Sequence, residues 1–293
     1  MSQQSYMIGS HVIAPERPGP GLYLVATPIG NLRDITLRAL DILAAADLIL
    51  CEDTRHSARL LEAYAIKTPR SPLHEHNERA RIGEILARLE KGEVIALVSD
   101  AGTPLLSDPG FPLVRAARER DFAVFPVPGP SALLAALTGA GLPTDSFGFF
   151  GFLPAKTGQR MNALAPLASR PETLVFYESP RRLGPALADM AKVFGAERQA
   201  VVALELTKKF ERFVPGPLAD LAESFAEGTK GEAVILVGGA GKGEIAGTQD
   251  WQGELETALV QMPLRAAVDE ITTRHALKRK DVYDAALALK SGR

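Results

Sequence analysis

Hydrophobic residues along the chain follow two alternating patterns. Short apolar runs predict buried strands at residues 22–26, 48–50, 94–98 and 122–127. Between these runs, apolar residues recur at three- and four-residue spacings and predict amphipathic helices with buried faces at Leu37/Leu40/Leu43, Ala58/Leu61/Ala65, Ile82/Ile85/Leu86/Leu89 and Leu113/Ala116/Ala117. Strands that alternate with helices in this way form a parallel sheet with right-handed crossovers. The first half of the chain is therefore predicted to be an α/β domain.

The stretch 94–111 is the strongest candidate for a functional loop. An apolar run, 94–98, leads into the polar sequence Ser99-Asp100-Ala101-Gly102-Thr103-Pro104. Asp108 and Pro109 then match the N-cap and first position of the next helix. Open α/β sheets bind ligands where buried strands end in such loops. The alternative is an ordinary strand-to-helix connection.

Composition changes after residue 138 and indicates a second α/β half. Gly139-Ala140-Gly141-Leu142-Pro143 marks the boundary, and further apolar runs at 173–177, 200–206 and 234–237 predict a mixed sheet. A glycine-rich stretch at 238–247 and three short helical patterns follow. The predicted organisation is a flexible leader (1–20), an N-terminal α/β domain (21–140), a C-terminal α/β domain (141–240), a linker (241–253) and a helical tail (254–293).

Composition and charge exclude several classes of protein. The chain of 293 residues is 46% hydrophobic and 23% charged, which is typical of a globular protein with no membrane span. The single cysteine, Cys51, excludes an internal disulfide and a cysteine-based zinc site, and the cell interior is the expected compartment. A net charge of −2 argues against non-specific nucleic-acid binding. The motifs of dinucleotide-binding enzymes, P-loop NTPases and α/β-hydrolases are absent from the sequence.

Three loops stiffened by proline and glycine carry the candidate binding chemistry. They read TPIGN (27–31), SDAGTP (99–104) and PGPSA (128–132). Glycine permits close approach of the backbone to a ligand, and proline fixes the loop shape beforehand. Such loops suit a ligand held by backbone groups and one carboxylate, for example a sulfonium cofactor with an amino-acid tail and an adenosine. The alternative is that they are only tight turns.

Two polar clusters leave their roles open. His74 and His76 would project to one face of an extended chain and could form half of a metal site, although no third ligand is evident. Glu52, Asp53 and Arg55 could provide a general base with its orienting partner. They could equally provide a helix N-cap with a surface ion pair.

The motifs taken together resemble one family. TPIGN, EDTR, HxHNE, ALVSDAGTPLLSDPG, VPGPSA, GFLPAK, FYESPRR, ELTKKFE and GEAVILV occur in this order between residues 21 and 238. The chain thereby resembles the bacterial 16S ribosomal RNA cytidine 2′-O-methyltransferases, which have the tetrapyrrole-methylase fold. The resemblance implies an α/β protein with a ligand cleft between its two domains, a homodimer in the cytoplasm, and S-adenosylmethionine as methyl donor without a metal. The implied substrate is a cytidine in the decoding region of 16S rRNA, within the small ribosomal subunit.

The resemblance also assigns the site residues. The implied cofactor-binding residues are Thr27, Pro28, Ile29, Gly30, Asp100, Gly102, Thr103, Ser131, Ala132, Tyr177 and Glu178. The residues expected to face the ribose or take its proton are Glu52, Asp53, Arg55, His76, Asn77, Glu205 and Lys208, and the sequence does not choose the base among them. Two alternatives are a tetrapyrrole C-methyltransferase and a non-catalytic ribosome-binding factor with the same fold.

The helical tail predicts a contact with RNA phosphates. Residues 264–293 contain seven lysines and arginines against four acidic residues, a local charge of +3. We expect this tail to contribute affinity for a structured rRNA target but no chemistry. The alternative is a solvated helical cap on the second domain.

Overall fold

The computed structural model describes residues 4–241, 251–275 and 278–291. The chain divides into two compact units, Met1–Gly139 with Ala203–Phe213, and Ala140–Val202 with Val214–Arg293. No helix among the described residues is long and apolar enough to cross a membrane.

The first unit begins with a two-stranded antiparallel hairpin, β1 (Tyr6–Ile8) and β2 (His11–Ile13). The Tyr6 side chain is buried and its hydroxyl donates a hydrogen bond to Asp41 at 2.9 Å. Burial and this carboxylate raise the pKa of Tyr6 to about 12. The prediction of a flexible leader over 1–20 is therefore wrong for these residues. Strands of three residues are too short for a clear alternating pattern, and it is packing that orders them.

A five-stranded sheet in the order β5-β4-β6-β3-β7 forms the centre of the first unit. Its strands are β3 (Gly21–Val25), β4 (Leu48–Cys51), β5 (Arg70–Pro72), β6 (Val94–Leu97) and β7 (Val124–Val127), and every pairing is parallel. The helices are α1 (Leu37–Ala45), α2 (Thr54–Ala63), α3 (Glu78–Glu90), α4 (Phe111–Glu119) and α5 (Ala132–Gly139), with a 3-10 turn at Leu32–Asp34. The parallel α/β prediction is confirmed.

Both faces of this sheet are covered, which explains why β4 and β6 are apolar at every position. Ile49 and Cys51 belong to a core cluster with α1 and α2, whereas Leu48 and Leu50 belong to a second cluster with α3 and α4. Because all five strands are parallel, their carboxyl ends, and the loops that follow them, share one edge of the sheet.

The start of α4 corrects one prediction. The helix begins at Phe111, with Gly110 as its N-cap at φ +127°, and not at Pro109. A Cβ on Gly110 would lie 2.7 Å from Leu97 Cδ2, so this position requires glycine both for its backbone angle and for its close packing. Asp108 is therefore not a helix cap and remains in the loop.

The second unit contains a mixed five-stranded sheet in the order β11-β10-β12-β9-β8. Its strands are β8 (Phe147–Phe152), β9 (Thr173–Glu178), β10 (Gln199–Leu204), β11 (Arg212–Pro217) and β12 (Ala233–Val237). β8 and β9 are parallel and β9 and β12 antiparallel, as a mixed sheet requires. The helices are α6 (Thr157–Leu164), α7 (Leu183–Phe194) and α8 (Leu218–Ser224), with 3-10 turns at Ala165–Leu167 and Pro180–Arg182.

Three helices form the end of the chain: α9 (Trp251–Gln261), α10 (Leu264–His275) and α11 (Arg279–Ser291). They enclose a small core of their own, made by Leu255, Ala258, Ala267, Val268, Ile271, Val282 and Ala286. The three helical patterns predicted for this region are confirmed. Most of the predicted linker, 242–250, lies outside the described residues, and 251–253 are the first residues of α9 rather than linker.

Candidate functional site

The loops after β3 and β6 are joined by a pair of backbone hydrogen bonds. Thr27 N donates to Gly102 O and Gly102 N donates to Thr27 O, both at 2.9 Å. The Thr27 hydroxyl, on a buried side chain, also donates to Ser99 O at 3.3 Å. Two loops that are far apart in sequence are thereby held as one rigid surface.

The loop after β7 lies against the same surface. The Thr103 hydroxyl donates to Pro130 O at 3.2 Å, and a Cβ on Gly129 would lie 3.0 Å from Ala26 Cβ. Ser131 is buried, and its hydroxyl accepts from Leu134 N at 3.5 Å at the start of α5. The structure thus brings together the three loops that the sequence predicted to bind a cofactor. Of the predicted residues, Thr27, Ile29, Gly102 and Ser131 are buried, Pro28, Asp100, Thr103 and Ala132 are partly buried, and Gly30 is exposed.

Carboxylates collect at the ends of β4 and β6. Asp53 N donates to Asp100 Oδ1 at 3.2 Å, which joins the loop after β4 to the loop after β6. Burial, and then the charge of Asp100, raise the pKa of Glu52. The pKa of Asp108 is raised to about 6, mainly by burial. A hydrogen bond from Ser99 lowers this pKa, whereas the charges of Glu52 and Asp100 raise it further. Burial first, and the neighbouring negative charges second, make Glu52 and Asp108 hold their protons more tightly.

Asp108, which interacts with the charges of Glu52 and Asp100, is not among the residues that the sequence predicted for the site. Its position before Pro109 matches a helix cap so well that the cap was predicted instead. The sequence does contain a signal for Asp108. The loop after β6 has a second polar stretch, which includes this residue and follows the first polar stretch, 99–104, closely. The helix instead begins after Gly110, which packs closely on Leu97.

Asp53 caps α2. Its Oδ1 accepts from Arg55 N at 2.8 Å, and its Oδ2 accepts from the Arg55 guanidinium at 2.8 Å. The hydrogen bonds from Arg55 lower the pKa of Asp53 to about 2. Of the two readings of Glu52, Asp53 and Arg55, this geometry matches the N-cap with a surface ion pair. A carboxylate held at such a low pKa is a weak base at neutral pH.

The segment after β5 turns rather than extends. Asn77 closes the turn, since its Oδ1 accepts from His74 N at 2.9 Å and its amide donates to Pro72 O at 3.2 Å. The expectation that His74 and His76 share one face of an extended chain is therefore wrong; their rings lie 6.0 Å apart, edge to face. His74 carries a charge interaction with Glu52, and its buried Nδ1 has no hydrogen-bond partner. Over the described ranges, no group of three or more ligating side chains could hold a metal.

Glu205 and Lys208 lie beside the loop after β3. The two side chains form an ion pair at 3.1 Å. A Cβ on Gly30 would lie 2.5 Å from Lys208 Cγ and 3.2 Å from Leu206 O, so this glycine lets the two segments pack in direct contact. The structure thus brings these two predicted residues to the predicted cofactor loop.

Tyr177 and Glu178 lie at the end of β9, in the second unit. Glu178 is buried and accepts hydrogen bonds from Ser179 N at 2.7 Å and from Arg182 Nε at 2.8 Å. The Tyr177 ring packs edge-on against Phe149 and Phe152, at centroid distances of 4.8 and 5.6 Å. Within this unit, the Glu178 carboxylate anchors the start of the Pro180–Arg182 turn.

Comparison with solved structures finds the same fold. A cobalt precorrin-4 methyltransferase of cobalamin biosynthesis matches 74% of this chain and 94% of its own, with a TM-score of 0.55 and 18% identity. The uroporphyrin-III C-methyltransferase of Thermus thermophilus matches 75% of this chain and 94% of its own, with a TM-score of 0.54 and 23% identity. The structure of that enzyme complexed with S-adenosyl homocysteine matches 74% of this chain and 97% of its own, with a TM-score of 0.54 at 22% identity.

Comparison of sequences identifies the family. The family described as Tetrapyrrole (Corrin/Porphyrin) Methylases matches residues 21–222. A protein of Mesorhizobium japonicum is 47% identical over 97% of each chain, and one of Pseudomonas aeruginosa is 48% identical over 91% of this chain and 96% of its own. Both are named ribosomal RNA small subunit methyltransferase I. The chain therefore belongs to the tetrapyrrole methylase family, in the branch whose members carry that name.

Proposed function

We propose that this chain transfers a methyl group from S-adenosylmethionine to the 2′-hydroxyl of a cytidine ribose in the decoding region of 16S rRNA, in the small ribosomal subunit. One observation carries the chemistry: the Thr27–Gly102 bridge holds the predicted cofactor loops together beside a carboxylate cluster that contains Glu52 and Asp108. RNA as the substrate is supported by relatives named ribosomal RNA small subunit methyltransferase I, at 43–53% identity over most of the chain.

The bridged loops fit the proposed cofactor. Thr27 and Ser131 supply buried hydroxyls, Ile29 supplies an apolar wall, and Asp100 supplies a carboxylate for an ammonium or a ribose hydroxyl. The bound cofactor supplies an electrophilic methyl group on a positively charged sulfur. The T. thermophilus enzyme, which shares this fold, has been solved in complex with S-adenosyl homocysteine.

The carboxylate cluster fits the removal of a proton. A ribose hydroxyl is a weak nucleophile, so the site must position it and accept its proton as the methyl group transfers. Glu52 and Asp108 have raised pKa values, which makes them better bases at neutral pH than Asp53, whose pKa is about 2. We assign the proton to the Glu52–Asp108 pair, and to Asp53 and Asn77 the ordering of the loops around it.

The same proposal includes the assembly and the location of the protein. We infer a homodimer, as the family resemblance implies, and a cytoplasmic location, because bacterial small subunits are made there. Gel filtration with light scattering measures the first of these directly. A monomeric mass at micromolar concentration would contradict it.

The test compares three methyl acceptors. The purified chain is incubated with methyl-labelled S-adenosylmethionine and naked 16S rRNA, isolated small subunits or uroporphyrinogen. We expect label in the RNA of the subunits. Label in the tetrapyrrole alone would favour a C-methyltransferase, and binding of subunits without any transfer would favour a non-catalytic ribosome-binding factor.

A further inference from the structure

The segment 205–211 has a strained backbone. Glu205 and Thr207 have φ angles of +50° and +64°, in the left-handed region that residues other than glycine rarely occupy. Leu206, between them, is buried and anchors the segment. Thr207 N donates to the Glu211 carboxylate, and Lys208 pairs with Glu205, so local contacts hold this unfavourable conformation in place. Backbone strain of this kind concentrates at functional sites.

One aromatic ring of the same segment is exposed to solvent. Phe210 is 68% exposed, and no large apolar side chain in the described part of the chain is more exposed. Lys209 Nζ lies 5.6 Å from the centroid of its ring. An exposed ring with a cation against it presents a flat stacking surface beside a positive charge.

The segment is adjacent to the proposed site. Lys208 and Leu206 contact the loop that contains Gly30, and both segments belong to the first unit. The buried hydroxyl of Thr207 has no hydrogen-bond partner. A bound ligand could supply the hydrogen bond that this hydroxyl lacks, and the exposed ring of Phe210 follows three residues later in the sequence.

We propose that Phe210 stacks on an unpaired base of the RNA substrate, while Lys209 contacts a neighbouring phosphate. This inference rests on the proposed function. Aromatic side chains beside cations are the usual means of binding single-stranded RNA, because every base has a face on which a ring can stack. The neighbours of Phe210 are Lys208, Lys209, Glu211 and Arg212, and charged residues are depleted in the cores of protein interfaces. Phe210 therefore acts as a positioning residue for the nucleotide.

The test substitutes this ring. Phe210→Ala should raise KM for small subunits about 5- to 150-fold, the range measured when one base is deprived of its stacking partner. The affinity for S-adenosylmethionine and the melting temperature should stay unchanged, because the ring is exposed. Phe210→Trp should keep KM within about twofold of the unsubstituted chain, since indole also stacks. The matched control is Phe147→Ala, which removes an exposed ring (41%) at the amino end of β8.

A fluorescence measurement tests stacking without turnover. The chain has one native tryptophan, Trp251, so Phe210→Trp in a Trp251→Phe background reports from position 210 alone. We expect small subunits to quench this emission.

No quenching, or an unchanged KM for Phe210→Ala while the unsubstituted chain methylates RNA, would overturn this inference alone. A changed oligomeric mass for Phe210→Ala would overturn it in favour of a protein contact. An unsubstituted chain that neither binds nor methylates RNA would overturn both proposals.

Discussion

The backbone amide of Asp53 donates a hydrogen bond to the carboxylate of Asp100 at 3.2 Å. This bond joins the loops after two neighbouring parallel strands, β4 and β6. Glu52, which precedes Asp53, interacts with two carboxylates of the loop after β6: the charge of Asp100 raises the pKa of Glu52, and the charge of Glu52 raises the pKa of Asp108. Asp100 thus has two roles, as a proposed cofactor-binding carboxylate and as the acceptor that orders the neighbouring loop.

Asp100→Ala should weaken binding of S-adenosylmethionine about 10- to 150-fold, which corresponds to the roughly 1.5–3 kcal/mol of a hydrogen bond to a charged group. Titration calorimetry measures this directly. The control is Asp145→Ala, which removes an exposed carboxylate in the second unit. Unchanged affinity in a folded Asp100→Ala variant would remove Asp100 from the site.

Asp53→Ala should lower the melting temperature, because it removes the cap of α2 and the ion pair to Arg55. Asp53→Asn should restore most of the melting temperature, since asparagine caps helices about as well as aspartate and the exposed ion pair that it loses contributes little. We also expect Asp53→Asn to methylate RNA at close to the normal rate. A stable Asp53→Asn variant with a large loss of rate and normal cofactor affinity would instead identify Asp53 as the base.

The raised pKa of Asp108, about 6 against an ordinary value of 3.8, gives stability a defined pH dependence. The folded state binds this proton more tightly than the unfolded state, so stability should fall as pH rises from about 4 to about 6. Asp108→Asn should reduce that fall, leaving the part caused by the raised pKa of Glu52, and Asp145→Asn should not change it. Thermal melts across this range measure it, and a fall of equal size in Asp108→Asn and the parent would show that other groups cause it.

The charge of the helical tail is partly neutralised within the tail itself. Arg274 pairs with Glu254 and Glu270, and Arg279 pairs with Asp269 at 2.7 Å. Three further cations of the tail, Arg265, Lys278 and Lys280, are exposed. These three are the candidates for phosphate contacts.

Arg265→Gln, Lys278→Gln and Lys280→Gln together should weaken binding to small subunits and reduce the salt dependence, by about one unit of slope for each phosphate that is no longer neutralised. Cofactor affinity should stay normal. Arg274→Gln is the control, because its charge is already paired.

Truncation after Ala240 should lower the methylation activity on small subunits as well. A truncated chain with full activity would favour the alternative of a solvated cap.

Local pattern was enough to predict the elements that are long or fully apolar. Strands β4 and β6 follow from hydrophobic runs, and the apolar face of α3 follows from the spacing of Ile82, Ile85, Leu86 and Leu89. β5 was not predicted because it is three residues long, polar, and ends in proline, which an edge strand tolerates. The hairpin at the start of the chain was missed for the same reason of length.

The candidate site was predictable in its loops but not in its contacts. Proline and glycine in 27–31, 99–104 and 128–132 identified the three loops that the structure joins. That Asp100 meets Asp53, and that Asp108 remains in the loop rather than capping α4, depend on packing between segments far apart in sequence. Single-sequence patterns carry no information on such contacts, so Asp108 was misassigned and the effect of His74 on the pKa of Glu52 was not foreseen.

The most direct test of the proposed function locates the transferred methyl group. Small subunits from cells that lack this activity are incubated with the chain and S-adenosylmethionine carrying a trideuterated methyl group, and the 16S rRNA is then digested and analysed by mass spectrometry. We predict the heavy methyl group on the ribose of one cytidine, in a decoding-region fragment, and much less of it with an Asp100→Ala chain at the same, subsaturating concentration of S-adenosylmethionine. A heavy methyl group on a base, on another nucleoside, or on no RNA at all would contradict the proposal.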